Sequence, residues 1–473
     1  MQLNHHKDIL LNEVRFYVCP GRLLRPLLIV YNEGSGSSDI PAAAATPKNK
    51  PFHQYIKYTP EHTTRILEGK LTLEDLFKEG ILEYISAGEQ ENILLARSYK
   101  YLYEQRHNEL KQFTHCEIEQ SIVGLSALTS AMGNNNQAPR ITFQTNQSKQ
   151  TNGIACADYP HHFLKEFNIQ IYNEQPVVET IANSLTLPNG CNCFLAVANY
   201  AGFNQEDSAV MCQASADREL FTATKSTYVM GVIKEATDHF GKPDPTVTKM
   251  SKRHANYSNI KANGFPSIDL IKKNDIVIGM YGESKDKNYK YVDKSIIWEH
   301  DEDALITQVA FKEDGNSMVN EDDNVFAKVK LTSYRPVEVG DKFSSRSGQK
   351  MIVGAMPRKS DMPFTEDGII PDIIMNPHAL PTRMTIGQMQ EGHVSKLCAI
   401  RNSTVDGTIF KTVDVEKVAD ELEKHGFHRY GYERMYDGIT GCWIDSLIFI
   451  TPVFMQRLQK YAVDALHGVA YAR

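Results

Sequence analysis

The sequence predicts a mixed α+β protein of several domains. Its 473 residues suffice for about three domains of ordinary size. A strand-rich stretch lies between two segments that mix helical and strand patterns. With 41% hydrophobic and 23% charged residues, the composition is that of a globular chain whose core needs no disulfides or metals.

Residues 1–113 combine a strand-like start with helices. Thr59-Pro60 and Thr72 read as helix openings, the first with proline in the first turn. Residues 89–113 read as one long helix with Ile93, Leu94, Tyr101 and Leu102 on one side. The Gly/Ser/Ala/Pro-rich residues 32–51 read as an exposed loop. The Asn/Gln-heavy residues 133–153 read as a polar loop, and the apolar run 193–200 as a buried strand. Strands dominate 221–339, most clearly at 275–280 and 325–331. In the second, Val325, Ala327, Val329 and Leu331 alternate with lysines. The acidic clusters Asp301-Glu302-Asp303 and Glu321-Asp322-Asp323 read as solvated faces rather than metal sites. Helices are expected at 413–425, ended by Gly426, and at 452–467.

The net charge of −7 argues against a free-standing nucleic-acid binder, so any such contact must come from clustered cations or partner chains. Of eight cysteines only Cys191 and Cys193 are close, and no CxxC pair exists. No zinc site is expected, and the thiols read as reduced. The polar start shows no signal peptide, and the longest apolar stretch, 446–455, is too short to span a bilayer. The expectation is a soluble intracellular protein with no membrane partner. Cytoplasm, nucleus and virion are equally compatible.

Four segments carry chemistry. In Gly340-Asp341-Lys342-Phe343-Ser344-Ser345-Arg346-Ser347-Gly348-Gln349-Lys350, three cations are interleaved with small residues that let the backbone approach a phosphate. Lys342 and Lys350 can face one polyanion only if the chain doubles back at Ser347-Gly348; a solvated surface turn is the other reading. In Asn204-Gln205-Glu206-Asp207-Ser208, adjacent carboxylates suit a Mg²⁺-phosphate partner. Consecutive carboxylates on a strand diverge, so one would meet the ion and the other a structural partner. Local evidence favours an acidic helix N-terminus instead. In Asn376-Pro377-His378-Ala379-Leu380-Pro381-Thr382-Arg383-Met384-Thr385, Thr382 can cap a helix with Ile386, Met389, Leu397 and Ile400 on its apolar face. Arg383 would then sit in the first turn against the macrodipole, which hints at an external anion; a local salt bridge is the alternative. In Asn136-Gln137-Ala138-Pro139-Arg140, followed by Gln144, Lys149 and Gln150, amides and cations can meet a nucleotide or RNA backbone, and a plain surface loop is equally compatible.

In this order, these segments resemble the second-largest subunit of multi-subunit DNA-dependent RNA polymerases. The likeness covers almost the whole chain. It includes Thr114-His115-Cys116-Glu117-Ile118, Asp361-Met362-Pro363-Phe364-Thr365-Glu366-Asp367-Gly368 and Gln456-Arg457-Leu458, and is most specific over 340–387. The wording is nearer the eukaryotic, archaeal and large-DNA-virus type than the bacterial one. The resemblance implies that Arg140 and Arg383 reach the phosphates of the incoming nucleotide. It places Lys342 and Lys350 on the RNA 3′ end and the nucleotide, and Gln150 near that 3′ end, with Lys149 and Arg346 on the RNA–DNA hybrid. Glu206 and Asp207 would lie near a second, nucleotide-borne Mg²⁺. The carboxylates for the tightly held Mg²⁺ would belong to the largest subunit, so the chain alone would make no RNA.

The same resemblance implies domains. Residues 1–113 would end an α/β external region. Residues 114–220 and 340–473 would form a hybrid-binding domain with a double-psi barrel-like core, interrupted by a β-rich wall or flap at 221–339. Partners would be the largest subunit, α-like assembly subunits, DNA template, RNA and NTPs. The N-terminal and clamp segments would come from another gene, or be lost from a fragment. Departures from the family pattern are Ser347 in place of histidine, Asn146-Gln147-Ser148 in place of Ala-Met-Gly, and a lost lysine after Val463-Asp464. A catalytically inactive, polymerase-derived scaffold that binds RNA or supports assembly is the alternative.

Overall fold

The computed structural model describes residues 4–8, 13–17, 24–33, 52–154, 165–235, 237–252, 254–285, 288–311 and 325–465. Cys19, Cys156, the cluster at 321–323 and most of the loop expected at 32–51 lie outside them. The chain divides into two compact units, Met1–Leu125 and Ser126–Arg473.

In the first unit, Leu24–Glu33 is a long strand that pairs antiparallel with His53–Ile56, Leu82–Ser86 and His115–Cys116. Helices Pro60–Leu67 and Leu73–Lys78 open at Thr59 and Thr72 as expected. Thr72 and Asp75 form a reciprocal cap, with the Thr72 amide donating to the Asp75 carboxylate at 3.0 Å. Residues 89–113 are not one helix. Leu95–Ala96 is a strand parallel to His115–Cys116, and a separate helix, Tyr99–Glu104, starts at Ser98. Ala96, fully buried with Val30 and Cys116, is worth more in the sheet than on a helix face.

The second unit is built around a closed six-stranded barrel. Its strands are β1 (Cys191–Val197), β2 (Ser208–Met211), β3 (Lys342–Ser345), β4 (Lys350–Ala355), β5 (Ile373–Met375) and β6 (Trp443–Arg457). The hydrogen-bonded order is β1-β5-β2-β4-β3-β6, and β6 closes on β1. The β1–β5 and β2–β4 pairs are parallel and the others antiparallel. Alternate residues fill the interior: Cys191, Cys193 and Leu195; Ala209 and Met211; Phe343; Met351 and Val353; Ile373 and Met375; Val453 and Met455. The helix expected at 452–467 begins as strand, its first six residues being the end of β6, and helix is found only at Ala462–Ala465. Residues 448–458 are all buried, so no strand alternation shows in the sequence.

Four helices of this unit matter below: α1 (Ala138–Ser148), α2 (Ala379–Arg383), α3 (Ile386–Arg401) and α4 (Val415–Lys424). The expected polar loop at 133–153 therefore contains a helix. Helix α4 ends at Gly426 as expected, with φ +84°. Helix α3 does not present one apolar face. Ile386 is exposed while Gln388, Glu391, His393 and Lys396 are buried. It packs on β6 at Gly392, where a Cβ would lie 2.3 Å from the Thr451 hydroxyl.

Residues 221–339 supply four of the five strands of a second large sheet, the fifth coming from Glu166–Gln170. Ala223–Val232 and Phe326–Arg335 pair along their whole length, flanked by Glu166–Gln170 and Ala304–Ala310. The expected strand at 275–280 is two short ones, Ile276–Ile278 and Met280–Glu283. Ala327, Val329 and Leu331 pack with Ile271, Val277, Ile278 and Trp298. Glu302 is not wholly solvated, since Arg335 donates to it at 2.6 Å. The root of this region is held by Arg457 at the end of β6. Its guanidinium donates to the carbonyls of Phe221, Arg335 and Pro336 at 2.9, 2.6 and 2.9 Å and pairs with Asp341 at 2.6 Å.

Candidate functional site

The chain does double back at Ser347-Gly348. β3 and β4 form a hairpin closed by Ser345 N–H to the Gln349 carbonyl at 3.1 Å, and Gly348 takes φ +70°. Lys342 lies opposite Ile352, and Ser344 opposite Lys350. The two lysines are thus diagonal neighbours on the outward face, while Phe343 and Met351 face the core. Neither lysine has an ion-pair partner among the described residues.

The start of α1 is fastened to this hairpin. Asn136 donates to the Ser347 hydroxyl at 3.2 Å and accepts from the Gly387 amide at 2.8 Å. Ser347, the departure from the family loop, thus has a partner within the chain. Arg140 donates from Nη1 to the Gly348 carbonyl at 3.3 Å, and its guanidinium lies over the Phe143 ring. Burial, then the neighbouring Arg383 guanidinium, lower the basicity of Arg140; the Asp207 carboxylate opposes them. Arg140, Arg383 and Asp207 therefore share one electrostatic neighbourhood.

Arg383 stands elsewhere than its sequence position suggested. It ends the short helix α2, and Met384, with φ +52°, separates it from α3, whose N-cap is Thr385. A cation there suits the local dipole, so the argument from misplacement falls away. Its fork is divided. Nη1 donates to the Gln349 side-chain oxygen at 2.6 Å, and Nη2 pairs with Asp207. Gln349, 1% exposed, also donates to the Ala379 carbonyl at 3.0 Å and the Thr385 hydroxyl at 2.9 Å. Sequence reasoning missed Gln349 as the residue that orients Arg383. Its only signal was its place between Gly348 and Lys350.

Glu206 and Asp207 lie in the turn from β1 to β2, not at a helix N-terminus. The turn is braced by buried Asn204, which accepts from the Tyr200 amide at 3.0 Å and donates to the Ala198 carbonyl at 2.6 Å. Glu206 has φ +51° and is exposed, with no ion-pair partner among the described residues. Asp207 takes Arg383, and its carbonyl accepts from the Ile352 amide of β4 at 2.9 Å.

Lys149 and Gln150 are exposed at the far end of α1, about 14 Å from Arg140 at ~1.5 Å per residue. The Gln150 carbonyl accepts from Gln459 N–H at 2.8 Å, and neighbouring Leu458 donates to the Lys342 carbonyl at 2.9 Å. Gln147, another departure, receives the Ser344 hydroxyl. Gln144 is fully buried and donates to Gln456 at 3.3 Å.

Arg346 is not part of this surface. It is 1% exposed and pairs at 2.6 Å with fully buried Glu391 of α3. The expectation that it lies on an RNA–DNA hybrid is corrected: its charge is spent inside the fold. Asp464 pairs with Arg335 and Lys225 at 2.8 and 3.3 Å, which gives the final described helix a structural contact. No described helix is long and apolar enough to cross a membrane.

The chain matches RNA polymerase Rpb2, domain 6, over residues 126–472, and domain 5 over 73–119. It is 33% identical over 98% of its length to DNA-directed RNA polymerase II subunit 2 of Arabidopsis thaliana, covering 39% of that protein. It is 32% identical over 98% to subunit RPB2 of Encephalitozoon cuniculi, covering 40%. It is 31% identical over 99% to subunit Rpo2 of Saccharolobus shibatae, also covering 40%. The chain spans about two fifths of the length of these curated relatives. With the domain 6 match extending over most of its residues, the chain belongs to the Rpb2 family, the second-largest subunits of DNA-directed RNA polymerases.

Proposed function

We propose that this chain forms part of an RNA polymerase active centre, where it holds the incoming NTP and the RNA 3′ end during template-directed synthesis. One observation carries this reading. Arg140, Asp207, Lys350 and Arg383, far apart in sequence, are linked through the single β3–β4 hairpin. Cations aimed at a triphosphate stabilise charge that develops during phosphoryl transfer. Arg140 and Arg383 would meet the triphosphate. Lys342 and Lys350 would stand between it and the RNA end, with Gln150 and Lys149 beyond. Glu206 and Asp207, adjacent carboxylates beside these cations, fit a Mg²⁺ that shares phosphate oxygens, not a protein-built cage. Among the described residues no group of three or more His, Cys, Asp or Glu could hold a metal ion. Further ligands are read as belonging to the largest subunit, as in the two-metal reaction. The barrel, with its two parallel pairs, is read as the double-psi type of a hybrid-binding domain, and 221–339 as the wall. DNA template, RNA and the other polymerase subunits complete the assembly.

The test is Lys350→Ala in the assembled polymerase. Nucleotide addition should slow by about 10²-fold or more while DNA binding changes little. Equal loss of both would contradict the reading.

A further inference from the structure

The Arg383–Asp207 ion pair occupies two groups that the proposed site would direct at opposite charges. Arg383 is mostly covered, its side chain 19% exposed, and is clamped by Gln349 on its other nitrogen. Asp207 is 54% exposed, and its backbone is fixed to β4 by the Ile352 amide. Both side chains are held in place, and Asp207 sits where an anion would meet Arg383. The neighbouring cations Arg140, Lys342 and Lys350 have no ion-pair partner among the described residues.

We infer that Arg383–Asp207 is a latch that selects a metal-complexed triphosphate over a free one. The inference rests on the nucleotide-site reading above. A free triphosphate at Arg383 competes with Asp207 for Nη2 and brings its charge against that carboxylate. A free divalent cation at Asp207 competes with Arg383 for the one carboxylate and weakens the counter-charge that Arg383 holds. When both arrive together, each partner exchanges one opposite charge for another: Arg383 takes a phosphate oxygen, and Asp207 turns to the cation. Asp207 is therefore a specificity-determining residue as well as a carboxylate near a metal.

The test is calorimetric titration of the full chain with inorganic tripolyphosphate, in EDTA and in saturating Mg²⁺. Wild type should bind more tightly with Mg²⁺. Asp207→Asn should bind metal-free tripolyphosphate about fivefold more tightly than wild type, the equivalent of about 1 kcal/mol for a partly exposed pair, and lose most of the Mg²⁺ dependence. Glu206→Gln removes the same charge one residue away without opening the latch, so its gain should be clearly smaller. An unchanged or weakened Asp207→Asn, or an equal gain in Glu206→Gln, would overturn the latch. If Arg383→Ala and Lys350→Ala also bind tripolyphosphate as wild type does in both buffers, the nucleotide-site reading itself fails.

Discussion

Arg140 and Gly348 fit each other in both directions. The Arg140 guanidinium donates to the Gly348 carbonyl at 3.3 Å, and the Cβ that Gly348 lacks would lie 2.4 Å from the Arg140 carbonyl. Helix α1 can approach the hairpin only because residue 348 has no side chain. The turn also holds residue 348 at φ +70°, where other residues are strained.

Gly348→Ala should therefore separate α1 from the hairpin. We expect about 1–3 kcal/mol of lost stability, and weaker tripolyphosphate binding through displacement of Arg140. Urea unfolding and calorimetry read the two effects. A stable variant with undiminished binding would show that this contact does not place Arg140.

Arg346 and Glu391 form a buried pair whose removal should be felt in stability. Arg346→Ala leaves a carboxylate 0% exposed without its counter-ion, at a cost of about 3–5 kcal/mol. Among the described residues Arg346 Nε and Nη1 and one Glu391 oxygen have no hydrogen-bond partner, so the pair is far from ideally solvated. Arg346→Met with Glu391→Leu should accordingly recover most of the loss. Thermal melts of the single and double variants check this, and a double variant as unstable as the sum of the two singles would refute it.

His393 predicts an acid-sensitive step. Burial lowers its pKa below the usual 6.5, although Nε2–H donates to the Arg429 carbonyl at 2.7 Å. Lys396 adds to the lowering and Glu416 opposes it. Below pH 6.5 the unfolded chain binds a proton that the folded chain refuses, so this contribution is present above 6.5 and lost as pH falls. Urea midpoints of wild type should drop between pH 7 and about 5.5 more steeply than those of His393→Gln. Parallel curves would remove His393 from the account.

Much of the site was legible because its signals are local. Small residues around Gly348 mark a tight turn, and the turn puts Lys342 and Lys350 on one face. Gly426 marks the end of α4 for the same local reason. What failed was context. Helix α1 has Ile141 and Phe143 as its only large apolar residues, two apart, and buries Gln144 by pairing it to Gln456, so it shows no apolar period. The inner half of β6 is apolar on both faces and mimics a buried helix. Arg383 looked misplaced because the break at Met384 depends on an αL residue with no glycine to announce it. Arg346 looked like its lysine neighbours, and only the packing of α3 shows where its charge goes.

The grip of Arg457 on Phe221, Arg335, Pro336 and Asp341 makes the base of the 221–339 region a graft point. Outgoing and returning chain are pinned by the same guanidinium, so the distance between them does not depend on what lies in between. That excursion can lengthen, shorten or change its surface over generations while the barrel and its hairpin keep their register.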